Sequence, residues 1–340
     1  TATNTVSVNG AYDISTATYV QNFSVAAQEA NPTGMSFNND GTKMYVIGWS
    51  GDDVNEYSLS TAFDVSTASY IQNFSIASQE SGPMGLTFNN NGTKMYVIGS
   101  AGDDVNEYSL STAFDVSSAS FAGNSETFSV AGQDLIPREV VFNNDGTKMY
   151  VVGDSGNDVN EYSLSTAFDI STASYVTRKP VSAESFPTGI SFNNDGTKMF
   201  IIGYQYDYVS EYDLTTAFDI SSAGYAGNAE RFYVRTQEQT PHGLTFNNDG
   251  TKMYVIGASG DEVNEYSLST AFDVSTSSYV QLFSVQSQDL TPQGLTFNND
   301  GTKMFIVGST GDEVNEYSLS TAFDVSTSSY VQLFSVQSQD

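Results

Sequence analysis

The string FNNDGTKMYVIG occupies residues 37–48 and is written five more times: FNNNGTKMYVIG (88–99), FNNDGTKMYVVG (142–153), FNNDGTKMFIIG (192–203), FNNDGTKMYVIG (246–257) and FNNDGTKMFIVG (297–308). The turn glycines Gly41, Gly92, Gly146, Gly196, Gly250 and Gly301 are therefore spaced by 51, 54, 50, 54 and 51 residues. Self-similarity at a period near 50 confines a chain to a propeller or a solenoid, because one such unit cannot bury its own apolar faces.

Each repeat reads as four short strands. In the first copy these are GMSF (34–37), TKMYVIG (42–48), DVNEYSL (53–59) and SYIQNFSI (69–76), here lettered a to d. NNDG (38–41) is a tight hairpin turn, since Asn and Asp tolerate turn conformations and Gly takes positive φ without steric cost. Strand b is aromatic and β-branched. WSGD (49–52) joins b to c, and STAFDVSTA (60–68) joins c to d. No segment holds a helical period, so the chain reads as all-β. Four strands per fifty residues is the unit of a β-propeller blade. Phe37, Tyr45, Tyr57, Phe63, Phe74 and their copies would fill the spaces between blades. An open solenoid needs distinct polar caps, and the last copy is as apolar as the others.

The ends decide the blade count. Residues 1–25 align at an offset of 51 with 52–76, so the chain begins with a worn strand c and a good strand d. Six a-b-c-d repeats come next, at 26–76, 77–130, 131–180, 181–234, 235–285 and 286–340, within a single domain spanning 1–340. Six blades is the expectation, with one outer strand pair left over to latch the ring or to contact another subunit. Seven blades would need strands from a continuation of the chain beyond Asp340. Residues 260–289 and 311–340 are identical over 30 positions, the mark of recent duplication.

The pattern P-x-G-(L/I)-x-F-x-x-D-G-x-x-M-(Y/F)-V, seen as PTGMSFNNDGTKMYV (32–46), PHGLTFNNDGTKMYV (241–255) and PQGLTFNNDGTKMFI (292–306), resembles the YVTN and NHL-type β-propeller repeats. The resemblance covers essentially the whole chain. It implies that strand a is innermost, that the d–a and b–c loops share one face, and that the NNDG turns and STAFDVSTA connections share the other. It says little about function, since such propellers host enzymes, binders and surface-layer proteins. The third copy departs from the pattern, with Glu139 where the others have Gly.

Composition narrows the partners. Forty acidic and 11 basic residues give a net charge of −29. That balance argues against nucleic acid and against anionic membranes, which need basic surfaces. It suits a medium whose salt screens self-repulsion. The absence of cysteine excludes disulfides, thiolate metal sites and cysteine nucleophiles. No apolar run has the length of a membrane helix.

Candidate site residues fall into two groups. The b–c loops carry Asp52, Asp53, Asp103, Asp104, Asp261 and Asp312, an acidic crown that would offer carboxylate oxygens to calcium or simply form a solvated rim. The second group marks where the repeats differ. The residue between Pro and Gly at the head of strand a is Thr33, Met84, Arg138, Thr188, His242 or Gln293, and these would ring the channel mouth. The b–c loops add Trp49 in the first copy and Tyr204, Tyr206 and Tyr208 in the fourth. Aromatic, Arg and acidic groups on one rim, with Glu139 beside them, are how polar ligands such as sugars are held; drift among repeats is the plain alternative. GDSG (153–156) is like a serine-protease nucleophile loop, but its siblings GWSG and GASG and the lone His242 speak against a triad.

The function expected is that of a secreted or cell-surface, non-enzymatic propeller serving adhesion, glycan binding or extracellular assembly, including polymers formed through outer strands. A lactonase-like enzyme using Arg138, His242 and a nearby acid is the alternative, and a calcium-dependent lectin-like module is another. The Ser- and Thr-rich c–d connections are turn residues or sites of O-glycosylation.

Overall fold

A computed structural model of the chain describes residues 17–181, 186–225, 230–310 and 313–319. After β1 (Ala17–Ser24), blade one comprises β2 (Pro32–Phe37), β3 (Lys43–Gly48), β4 (Asp53–Leu59) and β5 (Ala68–Ser75). Blade two has β6 (Pro83–Phe88), β7 (Lys94–Gly99) and β8 (Asp104–Leu110), with its outer strand broken into β9 (Ala119–Ser120) and β10 (Thr127–Ser129). Blade three has β11 (Pro137–Phe142), β12 (Lys148–Gly153), β13 (Asp158–Leu164) and β14 (Ala173–Pro180). Blade four has β15 (Pro187–Phe192), β16 (Lys198–Gly203) and β17 (Tyr208–Leu214), with β18 (Ala223–Gly224) and β19 (Arg231–Tyr233) outside. Blade five has β20 (Pro241–Phe246), β21 (Lys252–Gly257), β22 (Glu262–Leu268) and β23 (Ser277–Ser284), and blade six starts β24 (Pro292–Phe297), β25 (Lys303–Gly308), β26 (Glu313–Leu319).

The sixth blade is completed by β1, which pairs antiparallel with β26 from Ala17↔Leu319 to Ser24↔Glu313. The chain is thus an all-β propeller of six blades, each built on antiparallel a-b-c strands, and the N-terminal strand latches the ring at blade six. The expected sixth outer strand at the end of repeat 286–340 lies outside the described residues. The two longer spacings of 54 have a structural meaning: they belong to blades two and four, whose outer strands are interrupted. The five described c–d connections, expected as plain turns, each wind through one 3-10 turn, as at Val65–Thr67, capped by the Asp64 side chain.

The repeated string forms the joints between blades. Asn38 turns the hairpin back on itself, its Oδ1 accepting from Lys43 N. Asn39 reaches sideways, donating to the carbonyl of Asn90 in the next blade at 2.9 Å. Asn90, Asn144, Asn194, Asn248 and Asn299 repeat this bond, the last returning to Asn39, so the six close a circle on the bottom face. Asp40 accepts from Thr42 N and Oγ1, which holds its carboxyl below the usual range. Gly41 has φ +71°, and a Cβ there would meet the Phe63 ring at 2.1 Å. Phe63 itself has φ +55°, a strained conformation for a bulky residue.

Lys43 bonds Glu56 at 2.7 Å and the Phe114 carbonyl of blade two at 2.6 Å, where the Tyr45 hydroxyl also donates. Glu56 in turn accepts from Val116 N of blade two at 2.8 Å. All six repeated lysines pair with the equivalent glutamate of their own blade. The apolar core lies between blades. Tyr45, Ile47 and Val54 of blade one pack with Met95, Val97 and Tyr108 of blade two. Phe305 and Val307 of blade six close the circle against Met44 and Tyr57 of blade one. Each such buried side chain contributes roughly 1.5–3 kcal/mol by area.

Candidate functional site

The top face is shaped by a second set of buried acids. Glu29 accepts from Asn31 N, Ser50 N and Gly51 N, tying the d–a loop to the b–c loop. Glu80, Asp134 and Glu238 do the same in their blades. Both loops therefore share one face, as the family resemblance implied. Ser155 of GDSG belongs to this scaffold: its Oγ donates to Asp134 at 2.9 Å and accepts from Leu135 N.

The crown acids serve their own loops. Asp52, Asp103 and Asp261 sit in the left-handed region with φ of 49°, 51° and 53°, where Asp and Asn are tolerated, and their carbonyls accept from Ile76, Val130 and Val285 N. Asp53 accepts from Asn55 and Asn73, and Asp104 from Asn106. Burial pushes the Asp104 carboxyl up to about 6, with Glu80 and Asp103 adding to the rise and the Asn106 bond opposing it. Among the described residues no three His, Asp or Glu side chains converge as a metal centre requires. Asp312 lies outside the described residues.

The strand-a residues open onto a central cavity of about 300 Å³. Met84, Arg138, Glu139, His242 and Gln293 line it, whereas Trp49, Tyr204, Tyr206 and Tyr208 do not. Trp49 and Tyr206 are exposed on the b–c loops of their blades. Tyr208 lies against Tyr233 and under the Arg231 guanidinium at the outer edge of blade four. Tyr204 stacks on Phe186 and lies within the electrostatic reach of Asp154 and Arg138.

Arg138 spans the mouth. Its Nη2 bonds Asp154 at 2.5 Å, its Nη1 approaches the Met84 sulfur at 3.7 Å, and its Nε is buried without a hydrogen-bond partner. The equivalent Thr33 and Thr188 instead donate to the neighbouring proline carbonyls. Asp154 escaped the sequence reading. Its signal was present, because the equivalent positions are the uncharged Trp49, Ser100, Tyr204, Ala258 and Ser309.

Glu139 enters the throat where the other five blades have Gly34, Gly85, Gly189, Gly243 and Gly294. Those glycines leave little room; a Cβ on Gly243 would meet Ile256 at 2.9 Å. The Glu139 carboxyl crosses to blade four, accepting from Ile190 N at 2.8 Å. Glu139 is half-buried, facing the cavity that it lines, and among the described residues it forms no ion pair, so desolvation pushes its carboxyl up to about 7, against the pull of the Ile190 bond. Burial also lowers His242, with Arg138 adding to the effect and Glu238 and Asp154 opposing it, so the imidazole is neutral at neutral pH. The cavity thus combines a fixed cation–carboxylate pair, a neutral imidazole and a carboxyl that changes charge near neutrality.

No family model and no curated protein matches the chain. Solved structures do. A Bacteroides uniformis protein, provisionally a 6-phosphogluconolactonase, is 12% identical over 84% of this chain and 80% of its own, with TM-score 0.61. The periplasmic gluconolactonase PpgL of Pseudomonas aeruginosa is 14% identical over 75% and 70%, with TM-score 0.55. The β-propeller domain of Cps50 (Swd1) from Myceliophteria thermophila is 10% identical over 89% and 100%, with TM-score 0.61. At these identities the likeness is one of fold. The chain is a six-bladed β-propeller whose architecture resembles that of lactonase-type propellers.

Proposed function

We propose that the protein is a secreted or cell-surface propeller without catalytic activity, which binds a saccharide at the channel mouth in adhesion or extracellular assembly. One observation carries this reading: the break in six-fold sameness. Arg138, Glu139 and His242 replace uncharged residues and line one cavity, and Asp154 holds Arg138 in place. A carboxyl kept in the throat against a desolvation cost is a functional-site feature more than a scaffold feature. The acidity, whose self-repulsion salt screens, supports an extracellular setting. The outer strands, with exposed Tyr70, Ile71, Tyr175, Val176, Tyr279 and Val280, support lateral association with further copies. A glycan array tests the reading. Selective binding that is lost in Arg138→Ala and Glu139→Gln is expected, and no saccharide selected, or binding unchanged in both variants, refutes it.

Sugar-lactone hydrolysis is the second reading. It is favoured by a carboxyl near 7 in the same cavity as a neutral imidazole, since such a group both takes and gives a proton at neutral pH. Base uptake during glucono-δ-lactone turnover, abolished in Glu139→Gln and His242→Ala, is the expected result of that reading. Turnover indifferent to both substitutions removes it.

A further inference from the structure

The charges at the cavity are unevenly answered. Arg138 is held on Asp154 at 2.5 Å, so cation and carboxylate cancel at the rim. Glu139 follows on the same strand, β11, and its Oε2 accepts from Ile190 N at 2.8 Å. Its Oε1 accepts no hydrogen bond among the described residues, and Glu139 lines the cavity. Among those residues β2, β6, β15 and β24 bring no ionisable side chain to the cavity, and β20 brings only His242. Burial, with Arg138 beside it, keeps that imidazole neutral at neutral pH. An ionised Glu139 is therefore the one uncompensated charge of the throat. Met35, Leu86, Val141, Leu244 and Leu295 also line the cavity, and apolar walls focus the field of a carboxylate instead of screening it. An anion would meet that field, a chain of net charge −29 and a guanidinium already occupied by Asp154. A cation is drawn by all of these.

We propose that the throat is a recognition site for a primary ammonium group, set by Glu139, and that the saccharide bound at the mouth is an amino sugar whose amine is unacylated. The sugar rests on the function proposed above; the ammonium rests on Glu139. A primary ammonium carries three N–H donors. Oε1 of Glu139 takes one in a charge-assisted bond, and the neutral imidazole in the same cavity offers an acceptor nitrogen without adding a competing charge. Acylation removes the charge, so N-acetylated sugars are refused. Glu139 enters from one blade, the other five having glycine there, so six near-identical units present a single ammonium site. Binding also moves a proton. The carboxyl without a ligand lies at about 7, raised by desolvation against the Ile190 bond, and an ammonium against it favours the ionised form. Association therefore releases a proton wherever Glu139 is still protonated.

The whole chain is titrated by calorimetry at pH 7 and about 0.15 M salt. The probes are methyl glycosides of glucosamine, galactosamine and mannosamine, each beside its N-acetylated form. The free amines should bind about ten- to a hundredfold tighter than their acetylated partners, the range of one charge-assisted hydrogen bond, and Glu139→Gln should abolish the difference. A second titration uses 1,5-diaminopentane, whose amines stay charged between pH 6 and 8, in two buffers of different ionisation enthalpy. About one proton should be released per molecule bound at pH 6 and almost none at pH 8, with affinity about tenfold higher at pH 8. Acetylated sugars bound as tightly as free amines overturn the ammonium site and leave the saccharide reading standing. Diaminopentane bound through Glu139, with no glycoside bound, upholds the ammonium site and removes the saccharide. Silence from every probe, affinity indifferent to pH, or proton release that persists in Glu139→Gln overturns the inference.

Discussion

Replacing Glu139 by Gln should stabilise the protein, and by an amount that depends on pH. The carboxyl lies at about 7 in the folded chain against an ordinary value of 4.5. At about 1.4 kcal/mol per pH unit, that displacement disfavours the ionised form by about 3 kcal/mol. The folded state holds the proton more tightly than the unfolded state. Below about pH 4.5 both states are protonated and nothing is lost; as pH rises through about 7 the native carboxyl must ionise at a cost, complete above about pH 8. Gln is neutral throughout and keeps an oxygen for the Ile190 N–H. Calorimetry at about 0.15 M salt should show Glu139→Gln melting about 5 °C above the parent at pH 8.5, and within about 1 °C of it at pH 4.5. An equal shift at both pH values would refute the desolvation argument, as would destabilisation at pH 8.5.

Other expectations are also direct. Gly146→Ala should cost well over about 1 kcal/mol, because φ is +72° and the new Cβ would meet the Phe168 ring at 2.1 Å, whereas Gly132→Ala, with nothing within 4 Å, should be near neutral by urea denaturation. Lys94→Met should cost about 3–5 kcal/mol at pH 8 by leaving the buried Glu107 carboxylate without its cation, and less at pH 5, since burial already raises that carboxyl and loss of Lys94 raises it further. Arg138→Met should lower the melting temperature, and adding Asp154→Leu should restore much of the loss by removing the stranded acid.

The fold was legible because the repeat announces its own punctuation. NNDG, the strand alternation and the worn N-terminal pair led to hairpins, blades and six-fold closure. Purposes that depend on the neighbouring blade were not legible. Asn39 and Asp40 look alike as turn residues, yet Asn39 bonds across blades and Asp40 bonds within its own turn. Nothing in the sequence of strands b and c marks Lys43 and Glu56 as partners, although together they bind the next blade's c–d connection. The strained Phe63 carries no composition signal at all. At the site, comparing equivalent positions found Arg138, Glu139 and His242, since strand-a heads face the channel in every blade. The same comparison grouped Trp49, Tyr204, Tyr206 and Tyr208 with them, and these four do not line the cavity, because sharing the top face does not fix radial distance.

On the proposed reading, sameness builds the ring and departures from it bind the ligand. Symmetrising the mouth tests this directly: Arg138→Gln, Glu139→Gly, Asp154→Ser and His242→Gln together restore residues that other blades already carry at those positions. Titration calorimetry with the saccharide selected on the array, beside thermal melting, reads both halves. A cooperative melt at or above the parent temperature is expected, with binding weakened at least about a hundredfold, the loss of a few polar contacts. Binding that survives intact in the symmetrised ring would contradict it.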